Sequence, residues 1–463
     1  MNHAYRLVWN ETTCRYVAAP ETAKGRGRSG TRSAVVAVLC AALLAGGAWA
    51  GPSGGSVSAG SGSISQSGAT TTITQGSQNL AINWASFGIA AGERVNFVQP
   101  GASAIALNRV IGPESSVING SLSANGQVWI LNPNGVLFGS TASVNVGGLV
   151  ASTLSLSDAD FLAGKRSFSA NGSQGTVVNQ GSLSGGYVAL LGKQARNEGS
   201  ITTANGTAAL AAGDKITLDF SGSRLLSVQV DEGTLNALAE NKGLVRADNG
   251  TVILTASAKD ALLNTVVNNE GVIEAKGIDA AGGTILLLGG FNGGTVKVAG
   301  TLDASANGAH DGGFIETSGA HVQVAGGAKI GTRSETGKTG TWLIDPTDFT
   351  IAASGGDITG ATLGTQLASN NVTIESANGG TGTGGDIHVN DAVSWGANTT
   401  LMLNAYNDIN INAAITATGS SAGLVLNHGN YATVGSATSG TGYNIKAPVT
   451  LSGASATLSI NGM

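Results

Sequence analysis

The sequence predicts an all-β chain, a right-handed parallel β-helix with short antiparallel hairpin insertions, and three observations carry that expectation. Of 463 residues 72 are glycine and 7 proline, with 11% charged and 5% aromatic, so the Glu/Lys/Arg/Leu mixture of helical proteins is missing. Short aliphatic runs flanked by Gly and Asn recur from residue 51 to about 340, as at 186–192, 206–213, 250–255 and 283–289. An Asn-x-Gly-x-aliphatic corner repeats at 179–183, 197–201 and 269–273. Strands this short cannot bury an apolar face alone. Stacking each rung of chain on the next pairs every strand in parallel and encloses a column of Val, Ile, Leu and Ala. At a strand separation of ~4.8 Å the stack predicts a rod of order 60 Å. A β-sandwich or barrel would need longer antiparallel strands at regular hairpin spacing, and that rhythm is absent.

Taken in order, the chain opens with a leader, residues 1–50. Residues 34–44 are an apolar run of signal-peptide length preceded by arginines, and Ala48 and Ala50 supply the small residues of a cleavage before Gly51. The run is too short to span a bilayer and reads as a Sec-type signal. Both cysteines, Cys14 and Cys40, fall in this leader, so the mature chain has no disulfide, thiol or Cys-zinc chemistry. The leader also carries Arg6, Arg15, Lys24, Arg26, Arg28 and Arg32 against Glu11 and Glu21. Without it 17 basic and 26 acidic side chains remain, a net charge of −9 that disfavours nucleic acid as a partner.

In the mature chain Asn132-Pro133-Asn134-Gly135 fits a β-turn position by position, between the β-forming residues 128–130 and 136–138. Residues 157–164, Asp-capped and weakly helical, predict a helical turn or two on a surface excursion. After Pro346 the composition shifts toward Thr, Asn, Ala and Gly, with a Gly/Thr linker at 379–385 and strand runs resuming at 386–389, 401–403 and 408–411. The end at Met463 has no recognisable polar cap, which predicts a fragment of a longer protein.

Several motifs invite an enzyme reading without the context it needs. Residues 25–30 and 380–385 match G-x-G-x-x-G, but neither follows a strand and opens a helix. Residues 51–55 match G-x-S-x-G with no strand-to-helix elbow. His310, His321, His388 and His428 lack ligand spacing. Polysaccharide-cleaving β-helix enzymes converge two or three carboxylates on one groove. Here no acid occurs from 51 to 92, and Asp214, Asp219, Asp231 and Glu232 sit beside turns. No cofactor or metal site is expected.

Asn132-Pro133-Asn134-Gly135 followed by an aliphatic residue resembles the signature of the two-partner secretion domain of filamentous-haemagglutinin-like (TpsA-type) exoproteins. Asn-Trp-Ala-Ser-Phe at 83–87, Val-Asn-Phe-Val-Gln-Pro at 95–100 and Ala-Leu-Asn-Arg-Val-Ile-Gly at 106–112 are similar to successive pieces of that domain, and 148–154 to a segment that follows. Residues 312–319 and 340–346 resemble the end of the amino-terminal region of high-molecular-weight adhesins, and Tyr-Arg-Leu-Val-Trp-Asn at 5–10 resembles the extended signal peptide region of large Gram-negative exported proteins. The family's second turn, Asn-Pro-Asn-Leu, is absent, which bears on the branch.

The resemblance, over about residues 1–350, implies a leader at 1–50, a secretion domain at 51–345 and the start of a second solenoid at 346–463. It implies Sec export, recognition of the unfolded chain by the POTRA domains of a TpsB-type outer-membrane β-barrel, and folding rung by rung outside. Asn132, Pro133, Asn134 and Gly135 become the transporter-recognition turn. The implied product is a secreted or surface-exposed, non-enzymatic adhesin of a Gram-negative bacterium, with host glycans or receptors as ligands. The alternatives are a polysaccharide-active β-helix enzyme and the amino-terminal part of a contact-dependent toxin-delivery protein.

Overall fold

A computed structural model describes residues 5–10, 15–20, 51–259, 265–377, 384–429 and 442–462. The chain divides into two units, 1–48 and 49–463. In the first, Tyr5–Asn10 pairs antiparallel with Arg15–Pro20. The cleavage alanines Ala48 and Ala50, the glycine motif at 25–30 and residues 380–383 of the other lie outside the described residues.

The second unit is a three-faced parallel solenoid. Face A runs in register from Asn79–Trp84 through Gln127–Leu131 to Thr457–Ile460. Face B runs from Ser116–Ile118 to His321–Val324, and face C from Thr70–Gln75 to Lys329–Gly331. Register carries the core: Ala106, Val128, Leu149, Val188, Ala208, Val252, Ile285, Ile315, Trp342, Val372, Leu401 and Leu424 stand one above another and all point inward. Alternation along each strand thus becomes a continuous apolar column along the stack.

The repeated Asn-x-Gly corner has a definite job. Asn179 donates to Asn197, Asn197 to Asn241 and Asn241 to Asn269, each Nδ2 to Oδ1 at 2.8 Å, and all four side chains are fully buried. Asn241-Lys242-Gly243 is a fourth copy of the corner, joined to the other three by this ladder. The glycines stack beside it: a Cβ on Gly243 would lie 2.0 Å from the Gly199 carbonyl oxygen, so no side chain fits there.

The first edge of the solenoid is covered by antiparallel chain. Gly62–Ser67 pairs with Thr70–Gln75, and Ser56–Ala59 with Asn79–Trp84, blunting a row of backbone donors and acceptors. Further antiparallel strands lie in two insertions: Ser167–Ser169, Lys215–Ser221 and Arg224–Glu232 form one sheet. This sheet and helix α1 (Asp158–Leu162) roof the outer side of face A and enclose a second core around Trp129, Phe161, Phe168, Tyr187, Ile216 and Leu218. α1 is capped by Ser157, whose Oγ accepts from the Asp160 N–H at 3.1 Å. The helix differs from the expected Asp-capped surface excursion in two respects: its cap is Ser157, with Asp158 already inside the helix, and Phe161 is fully buried, 5.9 Å from the Trp129 ring.

Helix α2 (Gly360–Leu367), not expected from the sequence, replaces one strand of the stack. It lies between Lys329–Gly331 and Val393–Trp395, and side-chain amides stand in for missing backbone. Gln366 accepts from the Ile330 N–H (3.2 Å) and donates to the Ala328 carbonyl (3.0 Å). Asn370 accepts from the Thr332 N–H (2.7 Å) and donates to the Ile330 carbonyl (3.0 Å). Buried backbone groups at the strand edge therefore keep their partners. Parallel rungs then resume at Ile387–Val389, Val393–Trp395 and Thr400–Ala405.

Candidate functional site

Residues 132–135 form the corner between faces A and B, joining Gln127–Leu131 to Val136–Phe138. The turn closes through the Gly135 N–H on the Asn132 carbonyl at 3.0 Å, and Asn132 Oδ1 accepts from the Asn134 N–H at 3.0 Å. Gly135 has φ +120°, outside the range an L side chain takes comfortably. The sequence placed this turn correctly but not its burial.

Asn132 is fully buried. Its Nδ2 donates to the Glu114 carbonyl (2.9 Å) and to Ser116 Oγ (3.0 Å), tying the corner to the rung before. Toward the rung after, the Pro133 carbonyl accepts from Ser173 Oγ at 2.7 Å, and a Cβ on Gly175 would meet that carbonyl at 2.6 Å. Asn134 is exposed, and its side chain is engaged through Nδ2 on the Gly112 carbonyl at 2.9 Å. The structure thus brings 112–116, 132–135 and 173–175 together as three stacked turns, lining a shallow groove with Pro113, Pro133, Asn134 and Gln174. Ser173 and Gly175 carry no local signal of this role; the partner of both, Pro133, lies 40 residues before Ser173.

Of the cleavage residues, Gly51 is described and partly exposed at the start of the second unit. The acids beside turns do not converge: Asp214 pairs with Lys259, Asp231 accepts from Thr217 Oγ1 at 2.5 Å, and Asp219 lines a separate cavity. Burial alone would raise the Asp214 pKa, but the bond from Lys259 holds it below the usual value. Among the described residues no group of three or more His, Cys, Asp or Glu is disposed to hold a metal ion. His388 lies 3.8 Å from Asp386, whereas His428 is 9% exposed with its ring 4.2 Å from Tyr443, inside rather than solvated.

A family model described as the TPS secretion domain matches residues 48–304, and one described as the extended signal peptide of the type V secretion system matches residues 1–50. A heme/hemopexin-binding protein of Haemophilus influenzae is 34% identical over 211 residues, covering 43% of this chain and 23% of that protein. A second protein of the same name and species is 29% identical over 240 residues, covering 47% and 26%. The matches span about a quarter of the length of these relatives. The crystal structure of the HMW1 secretion domain from Haemophilus influenzae superposes with a TM-score of 0.59 at 21% identity, covering 89% of this chain and 100% of that one, a likeness of fold.

Proposed function

The chain belongs to the TPS secretion domain family, and from that premise we propose that residues 132–135 are read by the outer-membrane transporter before the chain folds. Family and leader make it a secreted or surface exoprotein of a Gram-negative bacterium, exported through the periplasm and outer membrane with a TpsB-type partner. The finer reading is ours. Sec cleavage falls between Ala50 and Gly51, POTRA domains of the partner barrel engage the unfolded segment that follows, and the three parts are 1–50, 51–345 and 346–463. The exported product acts as a non-enzymatic adhesin on host glycans or receptors.

The observation that supports reading before folding is the burial of Asn132. A partner docking on the folded corner would touch Pro133 and Asn134 and miss the Asn132 side chain. An unfolded segment presents all four residues. Parallel stacking then gives each emerging rung a ready edge, so folding outside can proceed vectorially.

Secreted yield beside the cognate transporter, measured together with the urea midpoint of each purified variant, tests this. Asn134→Ala is expected to lower secretion several-fold while its midpoint stays near wild type, because its side chain makes one exposed bond. Yield that tracks the midpoint in strict proportion across Asn132→Ala and Asn134→Ala would reduce the corner to scaffold.

A further inference from the structure

We propose that a cavity between the antiparallel insertion sheet and the outer side of face A binds a small hydroxylated carboxylate of monosaccharide size, a uronic acid being representative. The cavity measures about 250 Å³ and is walled by Ile105, Trp129, Leu218 and Phe220, with Gln127, Arg166 and Asp219 as its polar members. It is separate from the corner at 132–135, and the proposal does not depend on the export route.

Two side chains in this wall keep donor groups without an acceptor among the described residues. Gln127 is 2% exposed; its Oε1 accepts from the Tyr187 hydroxyl at 2.6 Å, while its Nε2 donates to none of the described residues. This residue lines a space that an acceptor could enter, and its free amide N–H is then a ready donor. Arg166 is half-buried, its guanidinium 5.0 Å from the Trp129 ring centre and 5.6 Å from that of Phe161. Its Nη1 donates to the carbonyls of Phe161 (3.1 Å) and Lys165 (3.0 Å), and no carboxylate of the described residues lies within 4.0 Å of it. Desolvation of this cation pulls its pKa down, the opposite of what an ion pair would do. A half-buried cation is open to a counter-charge, and among the described residues none lies within ion-pair distance, Asp219 on the same cavity included.

The missing partner is an anion with two acceptor oxygens, which a guanidinium fork and an amide N–H receive together. Asp219 on the same cavity narrows the class. Its charge opposes a dianion such as sulfate more than a monoanionic carboxylate, and its oxygens accept from a hydroxyl. The aliphatic and aromatic walls suit a carbon-bearing body, and the volume lies below that of drug-sized pockets.

The test is calorimetric titration of the purified chain with glucuronate, glucose and sulfate, with urea midpoints as a folding control. Glucuronate is expected to bind saturably, with glucose and sulfate weaker by about tenfold or more. Arg166→Gln should weaken glucuronate by at least about tenfold, Arg166→Lys by less, and Asp219→Asn should improve sulfate. The exposed Asp219 variant keeps the test valid should an Arg166 variant fold poorly. Absence of saturable glucuronate binding, equal affinity in Arg166→Gln, or sulfate binding as tightly as glucuronate to the wild type would each overturn the assignment.

Discussion

Two stretches of face A carry the same inner column yet differ on their outer side. In Gln127–Leu131 and Gly148–Ser152 every residue is buried, because the insertion sheet covers the surface that would otherwise meet water. In Thr284–Gly289 and Asn371–Ser376 buried and half-buried residues alternate, as in a sheet packed on one face. The inner column alone therefore suffices to propagate rungs, and the second core is an addition local to the first half. That half gains cohesion from a roof built of residues 153–176 and 213–237, whereas the later rungs depend on their neighbours above and below.

The sharpest break of this comparison is Trp129→Ala. Trp129 is fully buried, packs near Phe161, Phe168 and Phe220, and donates through Nε1 to the Tyr187 hydroxyl at 2.7 Å. Its truncation should cost about 3–5 kcal/mol by urea denaturation. The half-buried Leu343→Ala, on the outer side of a later rung beyond the roof, should cost about 1 kcal/mol or less. Equal losses would mean that the roof adds nothing.

Next in size is the buried amide ladder. Asn241→Ala breaks the ladder on both sides, taking the short acceptor from Asn197 Nδ2 and leaving Asn269 Oδ1 without its donor inside the solenoid, for a loss of about 2–3 kcal/mol. In the later segment Asn412 donates to Asn390 at 2.8 Å on an exposed surface, so Asn412→Ala should stay within about 0.5 kcal/mol. At the corner, Asn132→Ala removes two buried donations and is expected to cost about 2 kcal/mol, against a few tenths for Asn134→Ala. Midpoint shifts that ignore burial in these pairs would refute the distinction.

The sequence announced the solenoid because its corners are local: Asn179-Gln180-Gly181 and its repeats need only three residues to be recognised. The turn at 132–135 was legible for the same reason. The roof was not. Runs such as Tyr187-Val188-Ala189-Leu190-Leu191 are apolar on both faces, but nothing local says what covers the outer one, and the covering residues come from the insertions. Helix α2 has no local sequence signature, because Gln366 and Asn370 act on a strand 36 to 40 residues earlier and an amide imitating backbone reads like any other. Asn132 likewise reads as a turn residue, and only the stacking of three turns places it inside.

The two regions also respond oppositely to pH. In the earlier rungs burial alone would raise the Glu274 pKa, but hydrogen bonds from Lys276 and Arg246 hold it below its ordinary 4.5. Asp345, in the later rungs, has no such cation. Burial, then the charges of Glu375 and Glu316, raise it from 3.8 to about 7, and its Oδ1 is buried without a hydrogen-bond partner. The signs are opposite. A depressed carboxylate contributes stability above its unfolded pKa, and that contribution is lost as pH falls through the folded value. A raised one leaves the folded state binding more protons than the unfolded state between pH 3.8 and about 7, so stability declines across that window as pH rises and is lowest above it. Wild-type protein should therefore show a higher urea midpoint at pH 5 than at pH 8, with Asp345→Asn removing most of the difference. Glu274→Gln should leave that difference in place and flatten the dependence below pH 4.5 instead. An unchanged slope between pH 5 and 8 in Asp345→Asn would show that the outer acids of the later rungs are solvated well enough to ionise without cost.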